Sequence, residues 1–151
     1  MQIIVEKAAR RLTLYDHETV LFSCRAGLGR EPEGPKRAEG DGRTPEGSYR
    51  ICLTKPAGKY GRSLGLSYPS VADGETALRE GRIDERTMEA IRTAHARDVR
   101  PPWGSPLGGE IYIHEGGSSS DWTQGCIALD EADMDRLFPL REQVDEVLLL
   151  P

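Results

Sequence analysis

The chain has only three cysteines and three histidines among 151 residues, and no apolar run long enough to span a bilayer. An odd number of cysteines cannot all pair within one chain, so a disulfide framework is excluded as the organising principle. No C-x-x-C or H-x₃-H spacing occurs, which argues against a structural zinc site needing four close ligands. The net charge of −5 comes without any sustained basic run, which argues against nucleic-acid binding. There is no internal repeat, and strands and helices do not alternate as a doubly wound α/β fold requires. The opening stretch "MQIIVEKAARRLTLYD" lacks the apolar core of a signal peptide, because charges follow its short apolar run at once.

What is present fits one domain over residues 1–151. A chain of this length buries roughly 68–70% of its unfolded surface, so it folds without disulfide or metal. Seventeen glycines and ten prolines favour many turns joining short strands. Gln2–Glu6, Arg11–Tyr15 and Thr19–Arg25 read as strands, as do Ser48–Lys55, a segment around Ile111–His114 and the closing "VDEVLLLP". In the strand ending at His114, Ile111 and Ile113 share one face, Tyr112 and His114 the other.

A short helix is expected around Gly74–Arg79. A longer one follows an Asp84 N-cap through Met88, Ile91 and Ala94, with His95 on the surface near its end. A third opens at Asp130, with Asp133 completing a capping pair and Met134, Leu137 and Phe138 as its apolar stripe. Residues 27–47, "GLGREPEGPKRAEGDGRTPEG", form a long loop, and loops of that length are usually functional or disordered. Cys24 and Cys52 lie in strands and read as buried small hydrophobes, with a bridge between them left open.

The stretch "IHEGGSSSDWTQGCIAL" carries the chemistry. His114 and Cys126 stand 12 positions apart, with a Gly/Ser-rich loop between them that can fold back at little entropic cost. An imidazole beside a thiol can take its proton and stabilise the thiolate, ionising it well below the free-thiol pKa of about 8.5. The other reading is a buried cysteine and a capped histidine. A base needs its tautomer fixed by a third group. Glu115 would point to the opposite face of a continuing strand, so a backbone carbonyl of Glu115, Gly116 or Gly117 is the preferred partner. Gly125 permits a sharp turn, and the amides around Gly125 and Cys126 are the candidate oxyanion hole. Asp121 and Trp122 read as loop-shaping residues.

These motifs resemble the catalytic signature of the L,D-transpeptidase (YkuD-type) family, in which a histidine precedes a [S/T]-x-G-C segment. "GDGRTPEGSYRI" resembles the family's upstream GDGxTPxG motif. "SLGLSYP", "PPWGSPLGGEIYIH" and "DWTQGCIAL" resemble its murein L,D-transpeptidase (YafK-like) branch. The resemblance runs from about Leu12 to Val147. It implies a mainly β, sandwich-like fold with inserted helices, and a catalytic set of Cys126, His114 and Gly116. It also implies thioester chemistry on peptidoglycan stem peptides, after the third residue and with loss of the terminal D-alanine. An amine would resolve the thioester in a transpeptidase, and water in a carboxypeptidase or amidase; a non-catalytic peptidoglycan-binding module is the rival. No metal or cofactor is implied, and a monomer is expected.

Candidate substrate contacts are Arg43, Tyr68, Trp103, Tyr112, Trp122 and Thr123. Three family features differ: Gln124 stands where many members have histidine, Ala128 where many have arginine, and His114-Glu115-Gly116 where His–Gly is usual, so a carboxylate-binding arginine cannot be placed at 128. Arg43 is the substitute considered. The family implies work in the cell envelope if an export segment has been removed, and in the cytoplasm if this is the full chain.

Overall fold

The computed structural model describes all 151 residues and contains two sheets and three α-helices. In Gln2–Glu6 (β1) the side chains of Ile3 and Val5 alternate inward and are fully buried, as a half-buried strand of period two requires. β1 pairs antiparallel with Arg11–Asp16 (β2), which pairs antiparallel with Thr19–Arg25 (β3). The other edge of β1 takes the last strand, Glu146–Leu150 (β9), in parallel, and β9 takes Gly47–Tyr49 (β4) antiparallel. The first sheet therefore runs β3-β2-β1-β9-β4.

The second sheet runs β5-β6-β7-β8, from Ile51–Gly58 (β5), Gly61–Leu66 (β6), Tyr112–His114 (β7) and Ile127–Ala128 (β8). Here the structure corrects the sequence reading twice. Ser48–Lys55 is not one strand: the segment leaves the first sheet at Tyr49 and enters the second at Ile51. Arg50 is fixed at the crossing, its amide donating to Ser67 Oγ (3.0 Å) and its carbonyl accepting from the Ser67 amide (3.0 Å). The unbroken alternation of "SYRICLTK" hides that change of sheet. β6 has no counterpart in the sequence reading, because Gly61 and Gly65 weaken the strand signal of "GRSLGL". Pairing on both edges, to β5 and β7, makes it a central strand.

Helix α1 (Val71–Arg79) starts earlier than expected, because Ser70 and Asp73 form a reciprocal capping box. Asp84 caps α2 (Glu85–Ala96) by accepting from the Thr87 amide at 2.8 Å. Asp130 precedes α3 (Glu131–Leu137) but makes no side-chain cap; its carboxylate accepts from the Ser118 amide at 2.9 Å instead, tying down the loop after His114. His95 is a bridge between elements, not a surface residue. It contacts the Pro69 carbonyl at 2.8 Å and Arg50 at 3.2 Å.

Residues from both sheets and all three helices, among them Ile3, Leu14, Val147, Leu64, Ile113, Met88 and Met134, form one buried apolar cluster. The two sheets thus share a core, and the mainly β architecture with a few helices is as expected. Cys24 in β3 and Cys52 in β5 lie in different sheets, half-buried and unbridged.

Candidate active site

The site is built where β7 and β8 run parallel, with Ile113 opposite Ile127 and His114 opposite Ala128. Extending that register by one step sets Cys126 opposite Tyr112. His114, two residues along, then lies on the same face, about 8 Å away by strand rise and spacing. The Leu129 amide donates to the His114 carbonyl (2.8 Å) and the Gly117 amide to the Leu129 carbonyl (3.0 Å), so the loop leaving His114 stays bound to the Cys126 segment.

The imidazole is almost fully buried. Its Nδ1 is hydrogen-bonded to the Glu115 carbonyl. A carbonyl only accepts, so Nδ1 carries the hydrogen and Nε2 is left with the basic lone pair. The Glu115 carbonyl, not that of Gly116, is the group that fixes the imidazole tautomer. Gly116 has a different role: its φ of +122° suits glycine, and a Cβ there would meet the Trp122 ring at 2.8 Å. The Glu115 carboxylate faces elsewhere and pairs with Arg62 at 2.7 Å. Two rings enclose the imidazole. Tyr60 stacks on it, with centroids 4.8 Å apart and planes 22° apart, and Trp122 meets it edge-on at 5.6 Å. Burial lowers the His114 pKa below its ordinary 6.5, and the bond to Glu115 only partly opposes this.

Cys126 does not hydrogen-bond to the imidazole. Its Sγ lies 3.5 Å from the Glu110 carbonyl and accepts from the Tyr112 amide at 3.4 Å. Burial pushes the thiol above its ordinary 9.0; the Tyr112 amide opposes, and the charge of Glu110 adds to the rise. The resting pair is therefore a neutral thiol beside a neutral imidazole, where the sequence suggested a thiolate ionised in mild acid. The oxyanion reading also changes. The Gly125 amide donates to Thr123 Oγ1 (3.1 Å), and the same hydroxyl donates to the Cys126 carbonyl (2.7 Å). The amides of Gln124 and Cys126 have no acceptor within the protein and are the donors left for an oxyanion.

Three glycine-bearing segments meet beneath the cysteine. Gly27 bridges antiparallel to Ala128 and Gly29 parallel to Thr123, so the start of the long loop lies against the Cys126 segment through two isolated bridges. A Cβ on Gly29 would meet the Gly42 carbonyl oxygen at 2.1 Å, and one on Gly125 the Arg43 carbonyl oxygen at 2.7 Å. Only backbone fits at these contacts, which is the physical content of "GLG", "GDGR" and "QGC". Thr44, fully buried, accepts from the Gly29 amide at 3.1 Å. Asp121 shapes the loop from the other side through a forked pair with Arg10 (2.8–3.1 Å) and by accepting from the Leu28 amide (3.0 Å).

A cavity of about 370 Å³ opens above His114 and Cys126, and Tyr112, Trp122 and Thr123 are among its lining. Three other candidates do not reach it. Tyr68 is buried in the core with its hydroxyl on the Leu107 carbonyl (2.8 Å). Trp103 lies over Gly109 and meets Tyr112 edge-on at 5.6 Å, so it backs the wall without forming it. The Arg43 guanidinium donates to the Glu33 carbonyl (2.6 Å) outside the cavity. The cations that do line it are Arg30, Lys36, Lys55 and Lys59, and Tyr60 joins them. Sequence reasoning missed Lys59 and Tyr60 because the strand after them went unrecognised; "AGKYGR" is a two-residue turn between glycine-bearing strand ends.

The L,D-transpeptidase catalytic domain family (YkuD) matches residues 1–148. The chain belongs to this family. Among solved structures it resembles the helical cell shape determining protein Pgp2 from Campylobacter jejuni (K307A mutant; TM-score 0.67, 21% identity), which covers 98% of this chain and 46% of its own. It also resembles Bd1075 from Bdellovibrio bacteriovorus (TM-score 0.56, 16% identity), over 97% of this chain and 45% of that one. An L,D-transpeptidase fragment from Xylanimonas cellulosilytica gives a TM-score of 0.54 at 13% identity, over 98% of this chain and 59% of that one. The chain thus spans about half the length of the structures it matches, and at these identities the likeness is one of fold. A comparison with curated protein sequences yields no match.

In this L,D-transpeptidase-family domain two of the departures from the common pattern have local structural correlates. Ala128 is fully buried and exchanges two backbone hydrogen bonds with Gly27, each 2.9 Å, so a longer charged side chain would have no room there. Gln124 is exposed and lines the cavity.

Proposed function

We propose that this domain is a cysteine acyl-transfer enzyme acting on peptidoglycan stem peptides. The observation that carries the reading is the Nδ1 bond to the Glu115 carbonyl, which leaves Nε2 as the basic nitrogen in the cavity that Cys126 lines. A substrate amide entering the cavity brings the neutral pair into use. Nε2 takes the thiol proton as Sγ attacks the carbonyl carbon, and the tetrahedral oxygen receives the Gln124 and Cys126 amides. Protonated His114 then delivers its proton to the leaving amine, the C–N bond breaks, and a thioester on Cys126 remains. An acceptor amine gives a new amide and a transpeptidase; water gives a carboxylate and an L,D-carboxypeptidase.

Family membership supports the bond attacked, the one after diaminopimelate, with loss of D-alanine. "DWTQGCIAL" with Gln124 and Ala128 supports assignment to the murein (YafK-like) branch. Cavity cations Lys55, Lys59 and Arg30 are the proposed carboxylate contacts, Lys36 being held by Asp41 at 3.0 Å, and work in the cell envelope is part of the proposal. The absence of a resting bond between Cys126 and His114 favours the rival reading, a module that binds peptidoglycan without cleaving it. Incubation with purified muropeptides, read by mass spectrometry, separates these readings. Wild type should release D-alanine, with cross-linked or trimmed products distinguishing transferase from hydrolase, while Cys126→Ala and His114→Ala should not. Identical product profiles for wild type and Cys126→Ala would sink the enzyme reading and leave the binding module.

A further inference from the structure

Tyr60 occupies an unusual place for an aromatic ring. It sits in the two-residue turn between β5 and β6, and 41% of it is exposed. A ring at a hairpin tip gains little there by burial, yet this one stacks on the His114 imidazole at 4.8 Å and meets Trp122 edge-on at 5.3 Å. The Tyr60 hydroxyl has no hydrogen-bond partner, and the Lys59 ammonium lies 5.2 Å over the same ring without a carboxylate. The tip is thus bound to the site through ring contacts alone. Stacked rings attract one another beyond what burial alone gives, which favours one plane for the imidazole.

We propose that Tyr60 is the positioning residue of His114: its ring fixes the imidazole plane and covers its open face, keeping water from Nε2 until substrate arrives. Trp122 covers the edge, and the Glu115 carbonyl fixes the tautomer. Around the imidazole the titratable and charged groups lie along the cavity wall, not in contact with the ring nitrogens. Cys126, Tyr112, Glu110, Glu39 and Arg30 share its cavity, as do Lys55 and Lys59 from the hairpin and Lys36, which is paired with Asp41 at 3.0 Å, while the Glu115 carboxylate is turned onto Arg62. None of these makes an ion pair with His114, so removing the cover should change hydration of the imidazole more than its charge environment.

The effect on turnover rests on the acyl-transfer reading; the effect on the imidazole does not. The test follows the His114 ring resonances by NMR across pH, assigned by their loss in His114→Gln, in wild type, Tyr60→Ala and Tyr60→Phe. In Tyr60→Ala the His114 midpoint should rise toward about 6.5, and in Tyr60→Phe it should stay at the wild-type value. Muropeptide kcat/KM of Tyr60→Ala should fall more below pH 6.5 than above it. An unchanged His114 midpoint in Tyr60→Ala overturns the proposal, as does a loss confined to KM and equal at all pH values, which would make Tyr60 only a cavity wall. A shifted midpoint in a protein that processes no muropeptide upholds the positioning role and removes the acyl-transfer reading.

Discussion

Thr123 clasps the turn at Gly125 from within: one hydroxyl accepts from the Gly125 amide at 3.1 Å and donates to the Cys126 carbonyl at 2.7 Å. Both partners lie on the segment that presents Cys126, and Thr123 itself is buried. Thr123→Val keeps the shape and removes both bonds, leaving two backbone groups unpaired at about 1–3 kcal/mol each. The melting temperature and kcat should both fall, whereas Thr123→Ser should restore most of each. Wild-type melting and turnover in Thr123→Val would show that the clasp does not hold the turn.

Resting neutrality of Cys126 and His114 gives a second expectation. The thiol stands above 9.0 and the imidazole below 6.5, both through burial. Below its lowered pKa the imidazole is protonated and cannot take the thiol proton, so kcat/KM should drop as pH falls through a value under 6.5. It should stay level across neutral pH until the thiol itself titrates. Alkylation of Cys126 should be slow at pH 6 and accelerate only in alkali, with Cys24, whose thiol is pushed up to about 12, slower still. Rapid labelling of Cys126 at pH 6 would mean an ion pair and contradict the neutral arrangement.

The histidine and cysteine could be read from sequence because their chemistry is local: a strand end, a glycine turn and a motif-length loop. The helices were legible in the same way, through caps such as Asp84 and periodic residues such as Met88 and Ile91. What escaped was set by long-range pairing. β6 exists because β5 and β7 flank it, and the crossing at Arg50 exists because Ser67 meets its backbone. The same failure carried into the site. With β6 unrecognised, the hairpin that delivers Lys59 and Tyr60 was invisible, and aromatic residues near the motifs, Tyr68 and Trp103, stood in for the true wall. Arg43 departs from its expected place for another reason: its backbone, not its guanidinium, touches the turn at Gly125.

Lys7 connects the first sheet to the loop beneath the cysteine. Its buried ammonium donates to the carbonyls of Gly34 and Thr44 (2.8 Å each) and pairs with Glu46 at 2.9 Å. Lys7→Met leaves the half-buried Glu46 carboxylate and two carbonyls without their partner. Breaking one side of a buried pair costs about 3–5 kcal/mol, whereas replacing both members is often close to neutral. Lys7→Met should thus lower the urea midpoint sharply, and adding Glu46→Gln should recover part of the loss. If the single variant unfolds at the wild-type midpoint, the ammonium is not holding this loop.

Cations divide the candidate substrate contacts into two groups. The Arg43 guanidinium is engaged with the Glu33 carbonyl outside the cavity, while Lys59 lines it from the exposed hairpin tip and Lys55 stands 4.9 Å over the Tyr112 ring. A carboxylate bound by an exposed or half-exposed lysine gains about 0.2–1 kcal/mol, less at high salt. Lys59→Ala and Lys55→Ala should therefore each raise KM for muropeptides roughly 1.4- to 5-fold, by conversion of that range, with kcat nearly unchanged. The increase should shrink as salt is added. Arg43→Ala should leave KM where it was, since no substrate group in the cavity reaches its side chain. Steady-state kinetics at two salt concentrations decides the matter: a KM rise in Arg43→Ala alone would return the carboxylate contact to position 43 and remove it from the hairpin.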